Sequence, residues 1–236
     1  MNEGKHNESI KAVVLISAHE EWAVVRSYFP ESKIEHSPFG EYFFSVIEGA
    51  DCAFYHGGWG KVSAAASTQY VIDRWHPRLL INLGTCGGFE GHINVGEVVL
   101  ADETMIYDIH ERMGDPQEAL RFYATRIDIS FLHGPFPQSV RIGRLVSADE
   151  DIDPQMVTRL RNDYGAVAAD WESGAIAWTA RRNGTPVLIL RAVSDLVSEF
   201  GGELYTGGDF GSRAGEVMQP LLNALPQWIR CAIQNR

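Results

Sequence analysis

Residues 79–88 read Leu-Leu-Ile-Asn-Leu-Gly-Thr-Cys-Gly-Gly, an apolar run that gives way to a glycine-rich turn. A strand buried on both faces has this unbroken apolar character, whereas a half-exposed strand alternates. The pattern recurs to either side. Residues 12–17 (AVVLIS) and 187–193 (VLILRAV) are equally apolar, and residues 97–106, 141–147 and 166–169 are further strand-like runs. Residues 42–47 and 52–55 suggest two more strands, joined by the turn Glu48-Gly49-Ala50-Asp51. Between these runs the spacing turns helical: residues 20–29, then 61–75 with Val62, Ala65, Ala66, Tyr70 and Val71 on helical repeats, ended by Pro77. Asp153-Pro154 is a helix start, with a capping Asp before a Pro at the first position. Residues 173–182 form a helix that stops at Asn183-Gly184, and residues 212–234 a mostly helical tail in which Pro220 and Pro226 are the points of interruption.

Strands alternating with helices predict an α/β fold, a central mixed, partly parallel sheet flanked by helices. Nothing reads as an internal repeat, a low-complexity tract or an interdomain linker, so residues 1–236 are expected to form a single domain, with 1–10 flexible. Residues 108–140, with Pro116, Pro135 and Pro137, look like the largest irregular insertion.

Bulk properties narrow the function. A formal net charge of -11 repels phosphate backbones and anionic lipid, which argues against nucleic acid and membrane surfaces as partners. No window approaches the run of about 20 apolar residues that spans a bilayer. The polar start, MNEGKHNESIK, has no apolar core of a signal peptide. Three cysteines, Cys52, Cys86 and Cys231, are odd in number and far apart, which fits a reducing compartment; a cytoplasmic location is expected. His19, His56 and His76 stand alone, with no H-x-x-x-H or C-x-x-C spacing, so neither a metal nor a cofactor is expected.

In open α/β sheets, ligands bind beyond the carboxyl ends of the strands. His19, Glu20 and Glu21 follow the first strand, the glycine turn Gly84–Gly88 follows residues 79–83, Asp170, Trp171 and Glu172 follow 166–169, and Ser194 and Asp195 follow 187–193. Acids in the first turn of a helix also suit its dipole. Carboxylates at three strand ends beside a glycine turn nevertheless point to one site. His56–Lys61 resembles a phosphate loop, but Val62 stands where Ser or Thr should follow the lysine, and no G-x-G-x-x-G occurs. Cys86 has no histidine partner motif and reads as a small residue filling a tight turn.

Taken in order, five segments resemble a known family. Gly58-Trp59-Gly60-Lys61-Val62 is similar to its G-I-G-K-V/M segment, and Ile81–Gly88 to I-N-x-G-[ST]-A-G-G. Val95–Val99 is similar to V-G-D-I-V, Asp170–Ser173 to E-M-E-[AS], and Arg191–Asp195 to R-x-[IV]-S-D. The family is the 5'-methylthioadenosine/S-adenosylhomocysteine nucleosidase branch of the purine nucleoside phosphorylase superfamily, and the likeness covers roughly residues 11–200. The resemblance implies an N-ribosyl hydrolase acting on a 5'-substituted purine nucleoside. It implies that Asp195 protonates the purine N7, that Ser194 orients it, and that a glutamate after the first strand activates water. An ungapped strand alignment gives Glu21 this last role, with Glu20 one residue away. It further implies substrate binding by Glu172 (ribose hydroxyls), Trp171 (under the sugar), Arg191, Thr85, Cys86, Gly87 and, as backbone reader of the base, Ile152. An anionic Glu172 would also favour a cationic sugar.

Two carboxyls in opposite protonation states are what cleavage through an oxocarbenium-like transition state requires, as in inverting glycosidases. Phosphorylases of the superfamily carry an arginine-bearing loop after the first strand. Here that loop reads Ser17-Ala18-His19-Glu20-Glu21, which favours hydrolysis over phosphorolysis. Asp151 replaces the family's base-stacking aromatic, so futalosine-type or other purine nucleosides stay open as substrates. A non-catalytic nucleoside-binding or storage protein on the same fold is the remaining alternative. The family's homodimers imply a homodimer here, with residues 107–137, carrying Phe122, Tyr123, Phe131 and Phe136, closing the neighbour's 5' side.

Overall fold

The computed structural model describes residues 10–132, 135–205 and 207–233; the N-terminal stretch 1–9 expected to be flexible lies outside them. Strand β1 (Ala12–Ile16) is buried along its whole length, and helix α1 (His19–Tyr28) follows it. Next come β2 (Glu35–Ser37), β3 (Gly40–Ile47) and β4 (Ala50–His56). Glu48 and Gly49 join β3 to β4 with φ of 50° and 74°, the positive pair that a two-residue hairpin turn matched to strand twist demands. Helix α2 (Gly60–Trp75) ends on a left-handed His76 just before Pro77. The chain continues through β5 (Leu79–Phe89), β6 (Val98–Ile106), α3 (Pro116–Phe122), β7 (Ala124–Arg126) and β8 (Arg141–Ser147). A 3-10 turn (Pro154–Met156) leads into α4 (Val157–Asn162), then β9 (Ala166–Asp170), α5 (Ser173–Arg182), β10 (Val187–Ser198), β11 (Gly201–Gly202) and α6 (Phe210–Ile233).

All eleven strands join one mixed sheet in the order β11-β10-β6-β8-β9-β5-β1-β4-β3-β2, with β7 on β6. β5 also pairs with β10, so β10, β6, β8, β9 and β5 close into a ring. The pairs β1–β4, β1–β5, β5–β10, β6–β8 and β8–β9 are parallel, and the rest antiparallel. The two faces of β1 show how the core is split. Ala12, Val14 and Ile16 pack with α1 and α6, while Val13 and Leu15 face α2 and α5. Among the described residues no helix is long and apolar enough to cross a membrane.

Four expectations from the sequence are corrected. Gly84–Gly88 is not a turn: β5 runs through it to Phe89, with Gly87 and Gly88 paired to Asp195 and Leu196 on one side and to Ala169 and Ala168 on the other. Glycine is needed there because neighbours press on the strand; a Cβ at Gly88 would stand 2.6 Å from Ile93 Cγ2 and 2.8 Å from Val193 Cγ1. β10 likewise continues past Val193 to Ser198, through a bulge that leaves Ser194 as the extra residue. Helix α6 is unbroken across Pro220 and Pro226. Its buried stripe of Val217, Met218, Leu221, Leu222, Leu225, Trp228 and Ile229 holds it helical, and the exposed Pro220 faces solvent, where water can satisfy a freed carbonyl. Finally, the stretch 108–140 contains α3 and β7; Asp115 caps α3 by accepting from Gln117 N–H at 2.8 Å, with Pro116 at the first position. Within it Phe131 and Phe136 pack into the chain's own core, whereas Phe122 stays 53% exposed.

Candidate active site

The ends of β1, β5, β9 and β10 meet at one cavity of about 520 Å³, a size suited to a nucleoside-scale ligand. Glu21, Thr85, Cys86, Gly87, Ile152, Trp171, Glu172, Arg191, Ser194 and Asp195 all line it. Glu20 does not; its side chain lies toward Gly211 at the start of α6, where a Cβ on that glycine would be 3.8 Å from Glu20 Cγ.

Glu21 reaches the cavity from the first turn of α1 and is 1% exposed. Its Oε1 accepts from Thr85 N–H at 2.6 Å and from Thr85 Oγ1 at 2.8 Å, and its Oε2 from Ala18 N–H at 3.2 Å. Every one of these partners is a donor, so the carboxyl is held as an acceptor, and Oε2 with a single donor keeps a lone pair to offer. Arg191, buried on β10, is the hub of the floor. Its Nε lies 3.0 Å from Asp170 Oδ2 and donates to Ser173 Oγ at 3.0 Å; its Nη2 lies 3.3 Å from Glu172 Oε2 and its Nη1 3.6 Å from Glu21 Oε1. Nη1 also donates to Thr85 O at 3.2 Å. Ser147 and Ser173 donate to Asp170 in turn, and Ser173 Oγ sits 2.8 Å from Asn82 Oδ1. One guanidinium thus serves three buried carboxyls.

That surplus of negative charge falls on Glu172. Burial, with Asp170 and Glu21 close by, outweighs Arg191 and the Gly60 N–H bond at 3.2 Å and pushes Glu172 up to about 8. Glu172 is thus drawn toward its protonated form, because a third charge beside one cation is costly, while both its oxygens accept from donors, Gly60 N–H and Arg191 Nη2.

Asp195 stands across the bulge. In a regular strand Ser194 and Asp195 would point to opposite faces; the bulge re-aims them, and Ser194 Oγ donates to Asp195 Oδ1 at 2.7 Å, with Cys86 O 3.3 Å away. Burial pushes the Asp195 carboxyl upward; Glu203 and Asp151 add to this, and Ser194 and Arg213 oppose it. Burial also raises the Cys86 thiol well above its ordinary range, which makes it a neutral small residue rather than a nucleophile. Gly87 is fixed by Ile152, whose Cδ1 would lie 2.6 Å from a Cβ there.

Sequence reading missed Tyr205, Phe210, Leu204 and Trp59 as lining residues. The first three lie beyond β10, in a stretch with no motif or periodicity to flag it, and Tyr205 is fixed by donating its hydroxyl to Ile152 O at 2.6 Å. Trp59 sat inside a quoted segment, but nothing in its spacing told cavity from surface. Among the described residues no group of three or more His, Cys, Asp or Glu is placed to hold a metal ion.

The phosphorylase superfamily model matches residues 11–225. The 5'-methylthioadenosine/S-adenosylhomocysteine nucleosidase of Maridesulfovibrio salexigens is 29% identical over 206 residues, 81% of this chain and 88% of that protein. Its namesake in Geobacillus thermodenitrificans is 28% identical over 202 residues, 80% and 86% respectively. In fold, the nucleosidase of Helicobacter pylori bound to butyl-thio-DADMe-Immucillin-A has a TM-score of 0.77 at 16% identity, covering 93% of this chain and 99% of that one. The Streptococcus pneumoniae nucleosidase in complex with 8-aminoadenine has a TM-score of 0.76 at 20% identity, covering 94% and 99%. The chain belongs to the phosphorylase superfamily, and the relatives it matches there are nucleosidases.

Proposed function

We propose that this chain is a purine nucleosidase that hydrolyses the N-glycosidic bond of 5'-substituted nucleosides of the methylthioadenosine and S-adenosylhomocysteine kind. The observation that carries this reading is a pair of carboxyls in one cavity with opposite hydrogen-bonding states: Glu21 surrounded by donors, and Asp195 biased by burial to keep its proton. Asp195, oriented by Ser194, gives its proton to N7 as the C1'–N9 bond breaks. Glu21 takes a proton from the water that attacks C1', so the products are free base and free sugar. Glu172 bonds the ribose hydroxyls, and the cluster of Glu172, Asp170 and Glu21 around the sugar favours an oxocarbenium-like transition state. Arg191, Thr85, Cys86 and Gly87 form the floor, Trp171 packs beside the sugar and Ile152 offers its backbone to the base. Tyr205, close to both Asp151 and Asp195, supplies aromatic surface at the end where Asp151 does not.

Hydrolysis is favoured over phosphorolysis by charge. Among the described residues the cavity is lined by Glu21, Glu150, Asp151, Asp170, Glu172 and Asp195, and the one lining cation, Arg191, is already engaged by three carboxyls. Phosphate finds no free cation among the described lining residues. The catalytic assignment is tested by comparing Asp195→Asn, Glu21→Gln and Glu20→Gln. The first two are expected to lower turnover at least ~10²-fold, the scale of general acid–base catalysis, and the third to be mild. Near wild-type turnover in either of the first two variants overturns the role given to that residue.

We also place the protein in the cytoplasm, in keeping with its free buried thiols Cys52 and Cys86, and assign it a homodimer. Since Tyr123, Phe131 and Phe136 pack inside the chain, the exposed Phe122 is the aromatic of this segment left for that contact. Light scattering at micromolar concentration tests the dimer, and a fully active monomer contradicts it.

A further inference from the structure

Lys61 touches neither the floor of the cavity nor any residue given a chemical role above, yet it is held by two carboxylates. Its ammonium pairs with Asp108, just past β6, and lies 3.5 Å from Asp149 Oδ2, just past β8. Lys61 and Asp108 are mostly buried, with side chains 18% and 17% exposed. Backbone groups complete the knot: Lys61 N–H donates to Asp149 Oδ1 at 2.7 Å, and Asp149 N–H to Asp108 Oδ2 at 3.0 Å. Gly60, at the start of α2, fits because it has no side chain. Its φ is +78°, and a Cβ would lie 2.9 Å from Asp149 Oδ1. The N–H of this same Gly60 donates to Glu172 Oε1.

We infer that Lys61 is a positioning residue: by clamping the first turn of α2 to Asp108 and Asp149, it holds the Gly60 N–H on Glu172 and so fixes the carboxyl that meets the ribose hydroxyls. The inference rests on the nucleosidase reading of Glu172. It explains why a lysine with no place in the cavity is partly buried between two strand ends. Glu172 is faced by Arg191 from β10, Asp170 from β9, Glu21 from α1 and the Gly60 N–H from α2. Of these, only the last depends on the clamp.

The test follows the Glu172 carboxyl directly, by ¹³C NMR titration of the folded protein, in wild type, Lys61→Met, Lys61→Arg and Asp108→Asn. Losing a backbone donor to a buried carboxyl is expected to raise its titration midpoint by about one pH unit in both Lys61→Met and Asp108→Asn, and Lys61→Arg should restore it. A simple charge effect predicts opposite movements, because one variant removes a positive charge and the other a negative one. Upward movement in both supports the clamp; opposite movement, or none, overturns it. Turnover of adenosine and 2'-deoxyadenosine separates this inference from the reading beneath it. With the clamp, Lys61→Met raises KM for adenosine by about tenfold, leaves kcat nearly unchanged, and spares 2'-deoxyadenosine. If Glu172→Ala lowers the preference for adenosine and Lys61→Met does not, the clamp alone is overturned. If neither variant changes that preference, the assignment of Glu172 to the hydroxyls falls with it.

Discussion

Glu172 shows how far a single residue's identity goes and where it stops. Its place two residues past Asp170 marked it as a site residue from sequence alone. Its protonation was not legible, because that depends on Arg191, Asp170 and Glu21, which meet it only in the fold. The same limit applies to Glu20 and Glu21: adjacent in sequence, they are separated by the phase of α1, and only the packed helix shows which one lines the cavity. The raised Glu172 has a measurable consequence. The folded state keeps a proton that the unfolded chain releases above its ordinary value of 4.5, so stability is full below that pH and is lost as pH rises toward about 8. Glu172→Gln removes the titration. Its melting temperature relative to wild type is expected to climb steadily between about pH 5 and pH 8, as thermal unfolding across that range would show. A constant difference would mean that Glu172 is ionised throughout.

At the scale of elements, most helices and strands were legible, because apolar runs and caps are local signals. The boundaries were wrong where a distant partner decides them. Gly84–Gly88 carries every mark of a turn, yet β9 and β10 pair with its end and make it strand. Pro220 and Pro226 carry every mark of a helix break, yet α6 survives because its apolar stripe is buried. The strand glycines make a sharp test. A Cβ at Gly84 would stand 2.2 Å from Arg191 Nη1 and 2.8 Å from Glu21 Oε1, and Arg191 is tied on every side. Gly84→Ala is expected to cost roughly 1–3 kcal/mol, the range of core overpacking, and most of the activity. Gly215→Ala, in helix α6 with nothing within 4 Å of its Cβ, is expected to gain about 0.5–1 kcal/mol. Denaturant unfolding of the pair decides it; a neutral Gly84→Ala would mean the floor is looser than described.

For the whole molecule, the ring of β10, β6, β8, β9 and β5 explains why carboxyls far apart in sequence share one cavity. β1 and β10 run parallel to β5, and the antiparallel β9 sets Ala169 opposite Gly87, so residues at the ends of all four strands line one cavity. The sequence announced an acidic chain; the fold concentrates that charge, lining the cavity with six carboxyl groups and one committed arginine. The central claim is that such a cavity delivers water, not phosphate, to the sugar. The most direct measurement is to identify the sugar released from methylthioadenosine in phosphate-free buffer and again with phosphate added. The account predicts free methylthioribose at the same rate in both; turnover that requires phosphate and yields the sugar 1-phosphate would contradict it.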